Sequence, residues 1–245
     1  EKTRKAFHKR FYDPAKGSYG NAGGNILALK MGVPEGQYEK VVEALRAGLK
    51  KTGGHLDTGI IGTRFFFEVL ADNGLNQLAF EAMNKRTEPS YGQWIELGST
   101  TTRERWDTGG SHNHPMFGGG LVWFYRNLAG MKADPQEPGY RHLIFKPQPV
   151  DEMEYVSYRN ITPYGEGGIY WKNSRDSFSM DVTVPVGCHA SVYVPCSDPE
   201  RVYEGNEIAT KVPGILFKEM VDGYALFAVE SGVYYFRVNR TVDES

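Results

Sequence analysis

Along the first half of the chain, apolar side chains return every three or four residues, the period of a helix with one buried face. In EGQYEKVVEALRAGLKKTGG, the residues Tyr38, Val41, Val42, Leu45 and Leu49 share a stripe, and basic residues and a Gly pair close it. AFHKRFY places Ala6, Phe7 and Phe11 on one side before the turn Asp13-Pro14, and NILALKMG is a short apolar helix stopped at Gly32. DTGIIGTRFFFEVLADNG reads as a further helix, with Asp57 or Thr58 as N-cap and Asn73-Gly74 as its stop. LNQLAFEAMNKR and MFGGGLVWFYRNLAGM complete a set of helices joined by short Gly-rich turns, as in an array of helical hairpins.

After Gly139 the period falls to two. HLIFKPQPV, YVSYRNITPYG, GGIYWKNS, SFSMDVTVP, CHASVYVP and YALFAVESGVYYFRV alternate apolar with polar residues, rich in β-branched and aromatic types. Turn signals recur throughout, the pattern of an antiparallel sandwich. Gly167-Gly168, Asn173-Ser174 and Asp222-Gly223 read as its hairpin turns. The change of period sets a domain of helices over 1–133 and a β-sandwich over 140–240, with the break near Pro135 and Pro138.

Composition narrows the function. Lys plus Arg number 28 against 30 for Asp plus Glu, so no basic face of the kind that nucleic acid requires is expected. Arg64, Glu68 and Arg126 break the apolar runs well short of the roughly twenty residues of a membrane span. The charged start Glu1–Arg10 does not read as a signal peptide. Cys188 and Cys196 bound one strand-like run, too far apart along it to pair with each other. Fifteen Tyr, thirteen Phe and four Trp suit sugar faces, and equally suit two aromatic cores.

One segment has no period. PSYGQWIELGSTTTRERWDTGGSHNHPMFGGG, residues 89–120, lies between helices and gathers Tyr91, Trp94, Glu96, Glu104, Trp106, Asp107, His112 and His114. Such a loop between rigid elements is a common place for a site. Glu96 and Glu104 are its candidates for acid–base work, since glycoside hydrolysis needs two carboxyls. Glu104 lies between Arg103 and Arg105, which would keep it ionised as a base must be. The same neighbours allow it a purely structural role as a salt-bridge partner. His112 and His114 lack a third ligand at a familiar spacing, so hydrogen bonding is expected of them and no metal site or cofactor is expected. The Gly53-Gly54 and Gly118–Gly120 runs are not phosphate loops, and no nucleophile-elbow motif is present.

The order GGHLDTGIIGTRFFFEVLADNG, PSYGQWIELGSTTTRERWD, SHNHPMFGGGLVWFYRNLAG, YRHLIFKPQP resembles bacterial α-L-rhamnosidases of glycoside hydrolase family 78, from about Phe7 to about Val194. The resemblance implies the C-terminal portion of an (α/α)6-barrel catalytic domain followed by a β-sandwich. It implies an inverting glycosidase that releases terminal α-L-rhamnose. Glu104, in Thr-Thr-x-x-Glu-x-Trp, matches the family's general base; His114, in the Asn-His pair, matches a rhamnose contact; Trp94 falls where an aromatic or large apolar residue stands near the pocket. Arg103 departs from a position that is often Trp. No segment here resembles the one that carries the family's general acid. The expected partners are therefore a rhamnose-containing glycan and the N-terminal part of the same polypeptide, and the expected location is periplasmic or secreted. The alternative is a non-catalytic carbohydrate-binding or structural fragment.

Overall fold

The computed structural model describes residues 1–240 except Asp57 and Thr108. It divides into two compact units, Glu1–Trp123 and Phe124 onward. The first is helical: α1 (Lys2–Phe11), α2 (Ala22–Met31), α3 (Tyr38–Lys51), α4 (Ile60–Asp72), α5 (Asn76–Met83), α6 (Tyr91–Glu96) and α7 (Gly119–Trp123), with a 3-10 turn over Pro115–Gly118. α3 buries Val41, Val42, Leu45 and Leu49, the stripe that its period predicts. α4 is apolar nearly all round and buries Phe66, Phe67, Val69 and Leu70. Its N-cap is Gly59 with no side-chain cap, in place of the expected Asp57 or Thr58. Asp57 lies outside the described residues, and the Thr58 hydroxyl, one residue before the cap, is instead 2.7 Å from that of Thr63, a buried pair.

α6 arises within the segment read as aperiodic. Ser90 caps it by accepting from the Gln93 amide at 3.0 Å. The Ser-x-x-Gln spacing of a capping box was there to see, but six residues carry too little period to register. α7 ends at Trp123, whose Nε1 donates to Asn76 Oδ1 at 2.7 Å and ties α7 to α5. No helix among the described residues is long and apolar enough to cross a membrane.

The second unit opens with one π-helical turn, Phe124–Leu128, and continues as strands: β1 (Met131–Ala133), β2 (His142–Phe145), β3 (Tyr155–Thr162), β4 (Gly165–Asn173), β5 (Ser177–Val184), β6 (His189–Pro195), β7 (Val202–Glu204), β8 (Glu207–Ile208), β9 (Ile215–Val221), β10 (Tyr224–Val229) and β11 (Gly232–Asn239). They form two sheets, ordered β1-β2-β6-β10-β9 and β3-β4-β5-β11-β7-β8. Phe227 of the first stacks on Phe236 of the second at 5.6 Å, within a buried core that includes Trp171, Phe178, Met180 and Val192. β5 alternates strictly, with Phe178, Met180, Val182 and Val184 inward.

Three expectations need correction. The division between units falls at Trp123/Phe124 rather than near Ala133–Gly139. The turn after Trp123 is bonded to the sheets, for Leu128 O accepts from Trp171 Nε1 at 3.0 Å. The sheets are not wholly antiparallel: β2 and β6 run parallel, His142 beside His189, because β3–β5 cross to the other sheet before the chain returns. Gly167-Gly168 is no turn but the middle of β4, and Pro163-Tyr164 makes the reversal. A Cβ on Gly167 would come within 2.7 Å of Met131 Cε, so this glycine is there for close approach. Asp222-Gly223 is the expected tight turn, with φ of 50° and 79°.

Candidate active site

The aperiodic segment folds back on itself without forming a regular strand pair. Glu104 N donates to Ser111 O at 2.9 Å and His114 N to Thr102 O at 2.8 Å. The Thr102 hydroxyl donates to His114 O at 2.6 Å, and that of Thr101 donates to His112 O. Consecutive threonines thus act as a clasp, their hydroxyls satisfying carbonyls that lack a ladder.

Inside this clasp Glu104 Oε2 accepts from the Ser111 amide at 2.8 Å. That bond orients the carboxylate and, among the described residues, leaves further lone pairs for water. Gly110, next in the chain to Ser111, packs against the same oxygen: its φ is 77°, and a Cβ there would lie 2.6 Å from Glu104 Oε2. Both the backbone and the space exclude a side chain. Arg105 pairs with Asp107, and Arg103 Nε donates to Ser99 Oγ at 2.7 Å. The Gly109 amide, followed by Arg105, holds the Asp107 carboxyl below the usual carboxylate range.

Glu104, Arg105, Trp106 and Asp107 line a cleft of about 550 Å³, with Asn21, Leu56, Thr58, Gly59, Ile60, Glu88, Pro89 and Phe117 opposite and beside them. Asn21 is the N-cap of α2, and Glu88 precedes α6. The sequence gives no local sign that either belongs with Glu104, because separate elements bring them in. Trp106 forms the aromatic wall and is fixed by Nε1 donating to Thr58 O at 2.8 Å.

Trp94 does not reach the cleft. It is 2% exposed and stacks on Trp106 at 4.5 Å and 25°, with Phe117 at 5.3 Å and Tyr91 at 5.6 Å at its edges. It is a second plate behind the first, not a surface for a sugar. Tyr91 belongs to the same layer: burial pushes its phenol up, and its hydroxyl donates to Phe117 O. His114 also stands off the cleft lining. Its Nε2 is buried and, among the described residues, has no hydrogen-bond partner. Glu96 lies on the outer side of α6, in an exposed ion pair with Arg86, and takes no part in the cleft.

Both parts of the chain match families of known proteins. The family model for the bacterial alpha-L-rhamnosidase 6 hairpin glycosidase domain matches residues 1–128, and that for the bacterial alpha-L-rhamnosidase C-terminal domain matches residues 130–209. An alpha-L-rhamnosidase of Streptomyces avermitilis is 32% identical over 225 residues, covering 87% of this chain and 21% of that protein. The solved alpha-L-rhamnosidase of Dictyoglumus thermophilum superposes with a TM-score of 0.87 at 35% identity, over 98% of this chain and 28% of that one. The Streptomyces avermitilis enzyme solved with L-rhamnose gives 0.86 at 30% identity, over 96% and 23%. The chain spans between 21% and 28% of the length of these relatives. On the match of both family models, it belongs to the bacterial α-L-rhamnosidase family.

Proposed function

We propose that this chain is the base-bearing part of an inverting α-L-rhamnosidase, and that its helices are the C-terminal portion of an (α/α)6 barrel. The observation that carries the reading is Glu104, set on the cleft wall beside Trp106 with one oxygen pinned by the Ser111 amide. A general base needs an ionised carboxylate within reach of the proton that it takes, beside a wall that excludes bulk water. In this reading Glu104 removes a proton from a water that attacks the anomeric carbon. An acid carried by another part of the longer polypeptide protonates the leaving oxygen. Inversion sets the two carboxyls about 6.5–9.5 Å apart, with the water between them.

His114 is the proposed sugar contact. This rests on the Asn-His motif, and it requires that Nε2, sealed off the cleft lining here, be reached by the sugar in the complete polypeptide. Trp94 acts through Trp106, holding that ring flat as the contact surface. The substrate class is a rhamnose-containing glycan or glycoside, and a periplasmic or secreted location belongs to the same reading.

The test is the first product of the complete polypeptide on an aryl α-L-rhamnoside, followed by proton NMR. β-L-rhamnose appearing before mutarotation is the expected result, and α-L-rhamnose would contradict inversion. The 245-residue chain by itself should release no measurable rhamnose. General acid catalysis typically contributes 10²–10⁴-fold, and the acid lies elsewhere in this reading.

A further inference from the structure

The second unit carries a cluster that the glycosidase reading does not use. His142 on β2 and His189 on β6 are direct neighbours in the parallel pairing of the first sheet. Their rings stack at 4.5 Å with planes 25° apart. Glu137, in the loop between β1 and β2, brings Oε2 to 3.3 Å from His189 Nε2. One nitrogen of each histidine and one oxygen of Glu137 all lie within 4.8 Å of one another. Asp134 Oδ2 stands 2.7 Å from His142 Nδ1, while its Oδ1 is held by the Gln136 amide at 2.8 Å. His142 Nε2, the nitrogen left to ligate, lies 2.9 Å from the Ser191 hydroxyl, which an ion would displace.

We propose that Glu137, His142 and His189 form a binding site for a divalent transition metal of the zinc class, which clamps the β1–β2 loop to β6. The donor set is two imidazoles and a carboxylate, which suits zinc and its neighbours and not magnesium or calcium, whose sites are built from oxygen. The spacing between Glu137 and His189 fits as well. Bonds of about 2.0–2.2 Å at a tetrahedral angle put neighbouring ligand atoms about 3.3–3.5 Å apart. The Glu137–His189 separation of 3.3 Å falls there, beyond the roughly 2.7–3.2 Å of an N–H···O bond.

Asp134 supplies the remaining feature of such sites, a carboxylate on a ligating histidine that fixes the ring and adds negative charge for the dication. The side chains of His142 and Asp134 are only 18% and 17% exposed, so this half is rigid. His189 and Glu137, at 39% and 44%, form the open half through which an ion enters. Coordinate bonds lie in the ring plane, so the stacked rings reach one ion only after His189 tilts out of the stack. Its exposure leaves room for that movement. Water fills the remaining position. The sequence hides the site because Glu137 and His142 are separated from His189 by three intervening strands.

The test uses the full chain, stripped with a chelator and titrated with Zn²⁺ by calorimetry and by thermal melting. One equivalent should bind and raise Tm, since an ion that binds only the folded state stabilises it by mass action. Ca²⁺ and Mg²⁺ at the same concentration should leave Tm unchanged. His189→Gln and, separately, Glu137→Gln should weaken Zn²⁺ binding at least tenfold. Neither should lower the metal-free Tm, because both side chains are half-exposed. Co²⁺ in place of Zn²⁺ should show the strong visible bands of a four-coordinate site in the parent chain and lose them in both variants. Absence of a Zn²⁺-bound species in the parent chain would overturn the proposal. So would unchanged affinity in the two variants, which would place the ion on other histidines.

Discussion

The clasp around Glu104 and the ladder of β4, β5 and β11 are held in opposite ways. In the ladder, the central strand β5 is bonded along its length to β4 on one side and β11 on the other, and every second side chain of β5 is sealed in a common core. Any one contact is backed by its neighbours. In the clasp, two backbone bonds and the Thr101 and Thr102 hydroxyls hold the turn, and one amide orients the carboxylate. The first arrangement resists damage through redundancy. The second fixes one side chain with few contacts, so small changes there should act on chemistry before they act on stability.

The largest effect that sharpens this contrast is expected from Trp171→Ala. Its ring is fully buried and its Nε1 satisfies Leu128 O, so truncation leaves both a cavity and an unpaired carbonyl. A loss of about 3–5 kcal/mol is expected for an aromatic core truncation, read as a large fall in the melting temperature of the sheet unit. In the complete enzyme at a temperature where the variant stays folded, kcat should be unchanged. A parallel fall in kcat would break the contrast.

Gly110→Ala should do the reverse. A side chain at this φ costs about 1–2 kcal/mol and presses on Glu104 Oε2. Displacement of a catalytic group by about 1 Å can cost on the order of 10²-fold in rate. We expect kcat in the complete enzyme to fall at least about tenfold, with only a modest drop in melting temperature. Full activity in this variant would show that the carboxylate's placement is not critical.

The smallest effect is expected from Glu96→Gln. Glu96 belongs to the same stretch of sequence as Glu104, yet its ion pair with Arg86 is exposed and contributes at most about 1 kcal/mol. Neither kcat nor melting temperature should move appreciably. A loss of activity confined to this variant would mean that the wrong carboxylate stands as the base.

What the sequence makes legible follows the same division. The period of α3 and the alternation of β5 survive into the structure because one-sided burial imposes them. The Asp222-Gly223 turn is legible because positive φ selects its residues. Gly167-Gly168 misleads because the same residue type serves close approach inside β4. The parallel β2–β6 pairing leaves no local mark at all. Within the site, Glu104 and Trp106 stand out in a short motif, but Asn21, Thr58 and Glu88 reach the cleft from other elements. Trp94, which the resemblance places near the pocket, lies one layer back as the buried plate behind Trp106, a distinction that its position in the sequence does not carry.

The central claim, that Glu104 is the general base, is tested most directly by Glu104→Gln in the complete enzyme. The amide keeps the size of the side chain and can still accept from Ser111 N, but it has no basicity. The account predicts a fall in kcat of at least about 10²-fold, with rhamnose binding by calorimetry and melting temperature both preserved. A variant that keeps its kcat while its melting temperature drops would contradict the account and leave Glu104 a structural tie within the loop.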